Sequence, residues 1–212
     1  MTTERKKEKG KYFYPFARVL VTIFSAIFYP CKIENKDLAN IQGPMIIMCN
    51  HQSMMDPVLL AAKLNQHVIH FIGKRELTRF KPLKWIVEHL HMIAVSRHQS
   101  DLSAMRAAGA VLKEGKVLGI FPEGKRSFGP SMEEIETGVS VLALRHKVPL
   151  LPVYITDRPR PFRKTRMIVT PPLDYSDLAE IGINKQTGDE LNERIRRHYQ
   201  SLDKKYNKKT ID

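Results

Sequence analysis

The sequence predicts an α/β fold: a single domain whose mostly parallel or mixed sheet is covered by helices on both faces. Three observations carry this expectation. Short apolar runs bounded by Gly, Pro or polar residues alternate along the chain with segments of helical periodicity. At 212 residues the chain is long enough for one core to bury roughly 70% of the unfolded surface without disulfides or metals. No internal repeat, Gly/Ser linker or composition break divides it.

The elements follow in order. The first eleven residues carry Arg5, Lys6, Lys7, Lys9 and Lys11 against Glu4 and Glu8, and residues 12–31 then turn apolar with Arg18 as their only charge. The uncharged run 19–31 falls short of the ~18 residues of a spanning helix. Small residues suited to a signal cleavage site are missing around Thr22 to Phe28. A helix lying in the membrane interface fits best, ahead of a buried core helix and of a span or signal. The expected division is therefore residues 1–30 as a basic and apolar membrane-anchoring segment and residues 31–212 as the folded domain. Candidate strands are 31–35, 45–49, 68–73, 91–95, 117–121, 150–155 and 166–170; candidate helices are 57–64, 83–90, 101–114, 133–147 and 189–205. Arg158, Arg160, Arg163, Lys164 and Arg166, interleaved with Pro159 and Pro161, read as an exposed basic loop.

Charge and cysteine content bound the function. Lys+Arg 35 against Asp+Glu 22 leaves +13, a field that attracts nucleic acid, anionic lipid or phosphorylated small molecules without choosing among them. The competing class is a basic nucleic-acid-binding protein. Against it, the chain has no aromatic stacking signature, helix-turn-helix pattern or zinc spacing, and its basic residues flank an apolar N-terminus. Cys31 and Cys49 suffice for neither a disulfide framework nor a four-thiolate zinc site, so a reducing cytoplasm and no metal are expected.

Two segments could carry chemistry. In Asn50-His51-Gln52-Ser53-Met54-Met55-Asp56-Pro57 a separation of five positions would put His51 and Asp56 about 140° apart on one helix, so the chain must turn between them if they are to touch. Asp56 before Pro57 reads as a helix N-cap, where a carboxylate stays ionised and can orient an imidazole. The plainer reading is a cap beside a loop histidine. In Phe121-Pro122-Glu123-Gly124-Lys125-Arg126-Ser127, a strand end followed by Gly and two cations suits phosphate recognition. Gly119 to Lys125 imitates a P-loop but fails at Arg126, which stands where the magnesium-binding hydroxyl belongs. Lys74 to Leu77 alone is a solvated turn, and Val148 to Val153 alone is core.

Together and in this order, the four segments resemble the glycerolipid acyltransferase family. His51 and Asp56 match its H-x-x-x-x-D motif, Lys74 to Leu77 its K-x-E-L block, Phe121 to Ser127 its F-P-E-G-x-R-S block and Val148 to Val153 its V-P-x-x-P-V block. The likeness covers roughly residues 35–155. Departures are His91 and Ser96 where the family commonly has Gly and Asp in a block ending at Arg97, Lys125 where Thr is frequent, and Thr137 where many relatives have a basic residue.

The resemblance implies a glycerol-3-phosphate acyltransferase-like fold and transfer of a fatty acyl group from acyl-CoA or acyl carrier protein, as co-substrate and without other cofactor, to the sn-2 hydroxyl of a 1-acylglycerol 3-phosphate. Another lysophospholipid or glycerol 3-phosphate is the alternative acceptor. His51 would be the general base and Asp56 its orienting partner. Arg126, Arg97 and Lys74 would meet the acceptor phosphate, Glu123, Gly124 and Ser127 would complete the acceptor site, and the segments around Pro149 and Pro152 would face an acyl chain. The activated thioester needs no protein nucleophile, and no G-x-S-x-G elbow is present. The expected partner is an anionic phospholipid membrane, met peripherally or monotopically at the cytoplasmic face of the cell membrane, and no nucleic acid.

Overall fold

Every residue of the run Met45–Cys49 is buried, as befits a strand covered on both faces. This is strand β2 of a seven-stranded sheet in the order β1-β7-β6-β2-β5-β3-β4. The computed structural model describes residues 22–74, 92–95, 101–127, 129 and 131–206. Helix α1 is described over residues 22–28. It is followed by β1 (Cys31–Glu34), a 3₁₀ turn (Lys36–Ala39), β2, α2 (Asp56–Lys63), β3 (Ile69–Lys74) and β4 (Ile93–Val95). Then come α3 (Asp101–Lys113), β5 (Val117–Ile120), α4 (Gly138–His146), β6 (Leu150–Ile155), β7 (Thr165–Val169), α5 (Ser176–Ile181) and α6 (Lys185–Tyr206).

All neighbouring strands run parallel except β6 and β7, so the sheet is mixed. Alternate residues of β2 serve opposite cores. Ile46 and Met48 pack with residues of α3, α4 and α6, whereas Met45, Ile47 and Cys49 pack with Leu59 and Leu60 of α2. Helices therefore cover both faces. From β2 the chain passes to β3 on one side, beyond β5; from β5 it passes to β6 on the other. The direction of the connections thus reverses at the carboxyl ends of these two adjacent strands, the switch point at which open α/β sheets form a ligand crevice. Because β1 and β7 run opposite to the rest, their amino ends share that edge.

All seven expected strands stand within two residues of their sequence boundaries. The helices differ more. Helix α4 starts at Gly138 rather than Glu133, because residues 131–137 are held elsewhere. The Ser131 amide and hydroxyl both donate to Asp203 (2.7 and 3.1 Å), and the Glu136 amide donates to the Pro122 carbonyl (2.8 Å). Helix α6 begins at Lys185, four residues before the expected start. Asn184 and Thr187 cap it reciprocally: the Thr187 amide donates to Asn184 Oδ1 and the Asn184 amide to Thr187 Oγ1. The expected helix 83–90 and residues 1–21 of the expected membrane segment lie outside the described residues. Among the described residues no helix is long and apolar enough to cross a membrane.

Candidate active site

His51 stands two residues beyond the end of β2, and its position is fixed by its neighbours. Asn50 is fully buried and clamps β2 to β6: its Nδ2 donates to the Ile155 carbonyl (2.9 Å) and its Oδ1 accepts from the Ile155 amide (2.8 Å). Tyr199 of α6 adds a second tie, its hydroxyl lying 2.8 Å from the Met48 carbonyl and 3.2 Å from that of Val153. The chain then leaves a pinned strand end.

Residues 51–56 make the turn that the five-residue separation requires. Asp56 Oδ2 receives the amides of Gln52 and Ser53, each at 2.6 Å, and stands 2.9 Å from His51 Nδ1. A single buried carboxylate oxygen therefore closes the turn and holds the imidazole. The N-cap expectation for Asp56 is corrected here. Met55 is the N-cap, with its carbonyl accepting from the Leu59 amide, so Asp56 is the first helical residue and its side chain reaches back to the preceding turn. The other oxygen, Oδ1, is buried with no hydrogen-bond partner among the described residues. The positive end of α2 still favours the carboxylate charge.

With Nδ1 turned to Asp56, the imidazole presents Nε2 as its free nitrogen. The ring stacks on Phe121, centroids 4.3 Å apart, and Phe121 in turn lies 6.1 Å from Phe71. The His51 side chain keeps 18% of its surface exposed, whereas that of Asp56 is fully buried.

The second loop braces the first. Phe121-Pro122-Glu123-Gly124 forms a turn closed by the Gly124 amide on the Phe121 carbonyl (3.0 Å), with Pro and Gly in favourable places. Gly124 has φ +62, and a Cβ there would lie 2.8 Å from Glu136 Cγ, so both conformation and space demand glycine. Glu123, 5% exposed, accepts the His51 amide on Oε1 (3.1 Å), and the Ser127 amide donates to the His51 carbonyl (2.8 Å). The backbone of His51 is thus gripped on both sides. Burial pushes the Glu123 carboxyl up to about 7, against the opposing hydrogen bond and charge of His51; Asp203 adds to the rise.

The remaining sequence candidates fall as follows. Arg126 is exposed beside Ser127 and has no carboxylate partner among the described residues, whereas Lys125 pairs with Glu134. Lys74 ends β3 at the same sheet edge, its side chain undescribed, and Arg97 lies outside the described residues. Pro149 is exposed before β6, at the opposite edge from His51. Pro152 is buried within β6 opposite Met48 of β2, so the structure brings neither proline to the crevice. Sequence reasoning missed the Asn50 clamp and the Phe121 stack, although both residues adjoin or belong to the motifs. Among the described residues no three His, Cys, Asp or Glu side chains gather as a metal would need.

The chain is 25% identical over 198 residues to the 1-acyl-sn-glycerol-3-phosphate acyltransferase of Bacillus subtilis, covering 90% of this chain and 98% of that one. It is likewise 25% identical over 205 residues to the protein of the same name from Streptococcus pneumoniae, covering 92% and 75%. The crystal structure of the 1-acyl-sn-glycerophosphate acyltransferase PlsC from Thermotoga maritima superposes with a TM-score of 0.66 at 23% identity, covering 95% of this chain and 83% of that one, and shares the fold. The model of the family described as Acyltransferase matches residues 30–156, from the turn into β1 to just past the end of β6. That stretch is more than half of the chain and contains both loops of the crevice, and the chain belongs to the Acyltransferase family.

Proposed function

We propose that this enzyme transfers a fatty acyl group from an acyl thioester, coenzyme A or acyl carrier protein, to the sn-2 hydroxyl of 1-acylglycerol 3-phosphate, giving phosphatidic acid. The observation that carries the chemistry is the His51–Asp56 pair, with Nε2 free and the backbone of His51 held by Glu123 and Ser127. The acceptor follows from relatives named for 1-acyl-sn-glycerol-3-phosphate, and Arg126, exposed on the loop that holds the His51 backbone and without a carboxylate partner among the described residues, is a cation available to its phosphate. Nε2 takes the proton of the acceptor hydroxyl as its oxygen attacks the thioester carbonyl. Asp56 offsets the imidazolium charge that forms. The tetrahedral intermediate then expels the thiolate, which recovers the proton from Nε2, leaving a new ester and a free thiol.

In this reading residues 31–212 are the transferase domain, and residues 1–30 bind peripherally or monotopically to the cytoplasmic face of an anionic membrane. Purified protein should therefore co-sediment with anionic vesicles, and raised salt should weaken but not abolish the binding, because apolar burial persists when charge is screened. No sedimentation at low salt would refute the membrane part alone.

The central experiment is an acyl-transfer assay with acyl-CoA and acyl carrier protein as donors and lysophosphatidate, other lysophospholipids and glycerol 3-phosphate as acceptors, read by product mass. Phosphatidic acid is the expected product. Transfer only to a different acceptor would move the substrate assignment and leave the chemistry.

Arg126 is the proposed phosphate ligand, with Lys74 at the end of β3 in support; the resemblance adds Arg97. Arg126→Ala should cost roughly tenfold or more in kcat/KM for acceptors bearing a phosphate monoester, and Arg126→Lys should recover little because the bidentate fork is lost. Equal losses on acceptors with and without that phosphate would assign Arg126 a structural or donor-binding role.

A further inference from the structure

The loop between β6 and β7 emerges at the sheet edge that carries His51, because β6 ends there at Ile155, the residue that Asn50 and Gln52 both hold. The loop is itself well tied. The Thr156 amide donates to the Arg166 carbonyl (3.0 Å), the Thr165 hydroxyl to the Asp157 carbonyl (3.0 Å) and the Arg163 amide to the Arg160 carbonyl (3.2 Å). At its tip Phe162 has φ +60, a conformation disfavoured for a bulky side chain, and 70% of its surface is exposed. The Phe162 amide donates to the Phe28 carbonyl of α1 (2.7 Å), and the two rings lie 5.3 Å apart. Phe24 continues the row at 4.8 Å from Phe28, and Ile23 and Ile27 on the same helix are also exposed. A locally strained backbone thus presents an aromatic ring outward as part of a five-residue apolar patch.

The charges around this patch indicate what covers it. Arg160, Arg163 and Lys164 are exposed on the same loop, and none has a carboxylate partner among the described residues. Apolar rings beside unpaired cations complement the boundary between acyl chains and anionic headgroups. A second copy of the chain would bring the same cations against themselves. We propose that residues 156–164 form a second membrane-docking element, seated with α1 on an anionic phospholipid surface with Phe162 inserted among the lipids. This rests on the membrane reading above and adds to it an orientation: the carboxyl edge of β6, and with it the His51 crevice, faces the bilayer. A lysolipid could then offer its hydroxyl to Nε2 while its acyl chain stays in the membrane.

The test uses the full chain with Trp85→Phe, which removes the sole tryptophan, and Phe162→Trp as a reporter. In vesicles of phosphatidylcholine and phosphatidylglycerol the reporter's emission should shift to the blue and be quenched by brominated acyl chains. In parallel, Phe162→Ser should weaken vesicle partition roughly tenfold, and Arg160→Gln, Arg163→Gln and Lys164→Gln together should weaken it by about fivefold per cation on anionic vesicles only. Transfer to a short-chain acceptor below its micellar concentration should be unchanged in all of them. A reporter that stays unquenched while the protein sediments would overturn the docking loop and leave the membrane reading standing. Absence of sedimentation would overturn both. A blue shift that grows with protein concentration without vesicles would give the patch to a second copy and overturn the proposal.

Discussion

Replacing His51 with alanine should lower the turnover of acyl transfer by about 10² or more, the usual scale of a general-base contribution, while leaving the protein folded. The expectation of an intact fold has a specific basis. Asp56 Oδ2 keeps the amides of Gln52 and Ser53 when the imidazole is gone, and the clamp from Asn50 to Ile155 does not involve the His51 side chain. A thermal melt near that of the unmodified protein, with normal vesicle binding, would accompany the loss. A folded His51→Ala enzyme with near-normal transfer would sink the mechanism.

Asp56→Asn tests the other half of the pair. The amide oxygen can still accept from Gln52 and Ser53, but the charge that offsets an imidazolium is lost, so turnover should fall strongly. Its stability cost differs from that of a simple cap exchange. Asparagine must bury an NH₂ group either at the site of the unpartnered Oδ1 or against the two amides, and leaving that group unsatisfied costs about 1–3 kcal/mol. Combining both substitutions should be little worse than His51→Ala alone, because residues that act as a unit are not additive. Full activity of Asp56→Asn would reduce Asp56 to the closure of its turn.

What could be read in the sequence was what local pattern determines. Met45–Cys49 is apolar throughout, a pattern that a fully covered strand requires, and the turn between His51 and Asp56 follows from helical geometry. What could not be read depends on partners far along the chain. Residues 133–137 have a plausible helical pattern, yet Ser131 is held by Asp203, 72 residues away, and Glu136 by the loop at Pro122, which delays α4 to Gly138. The role of Asn50 was equally hidden, since its only sequence signal is adjacency to His51 and its partner Ile155 is 105 residues distant. The start of α6 has a local signal, since Asn184 and Thr187 have the spacing of a reciprocal cap. Glu123 shows the limit for the site. The block to which it belongs implies contact with substrate, and its burial and its bond to the His51 amide add a brace for the His51 backbone that the sequence does not show.

That brace has a pH signature. The Glu123 carboxyl is raised from 4.5 to about 7, chiefly by burial, so the folded protein binds a proton there over a range in which the unfolded chain does not. Stability from this group is fully present below about 4.5 and is lost as pH rises through about 7. A rise of this size corresponds to at most about 3 kcal/mol. Glu123→Gln keeps an oxygen for the His51 amide and removes the titration. Urea unfolding of both proteins from pH 4 to 8 should therefore show the difference in stability opening across that interval, with the glutamine variant the more stable at pH 8 by roughly 1–3 kcal/mol. Because the brace is retained, turnover should stay within a few fold of the unmodified enzyme. A constant stability difference across the interval would refute the buried, proton-binding carboxyl. A loss confined to KM for the acceptor would return Glu123 to the substrate contact that its motif first suggested, and a loss as deep as that of His51→Ala would mean that its charge takes part in the chemistry.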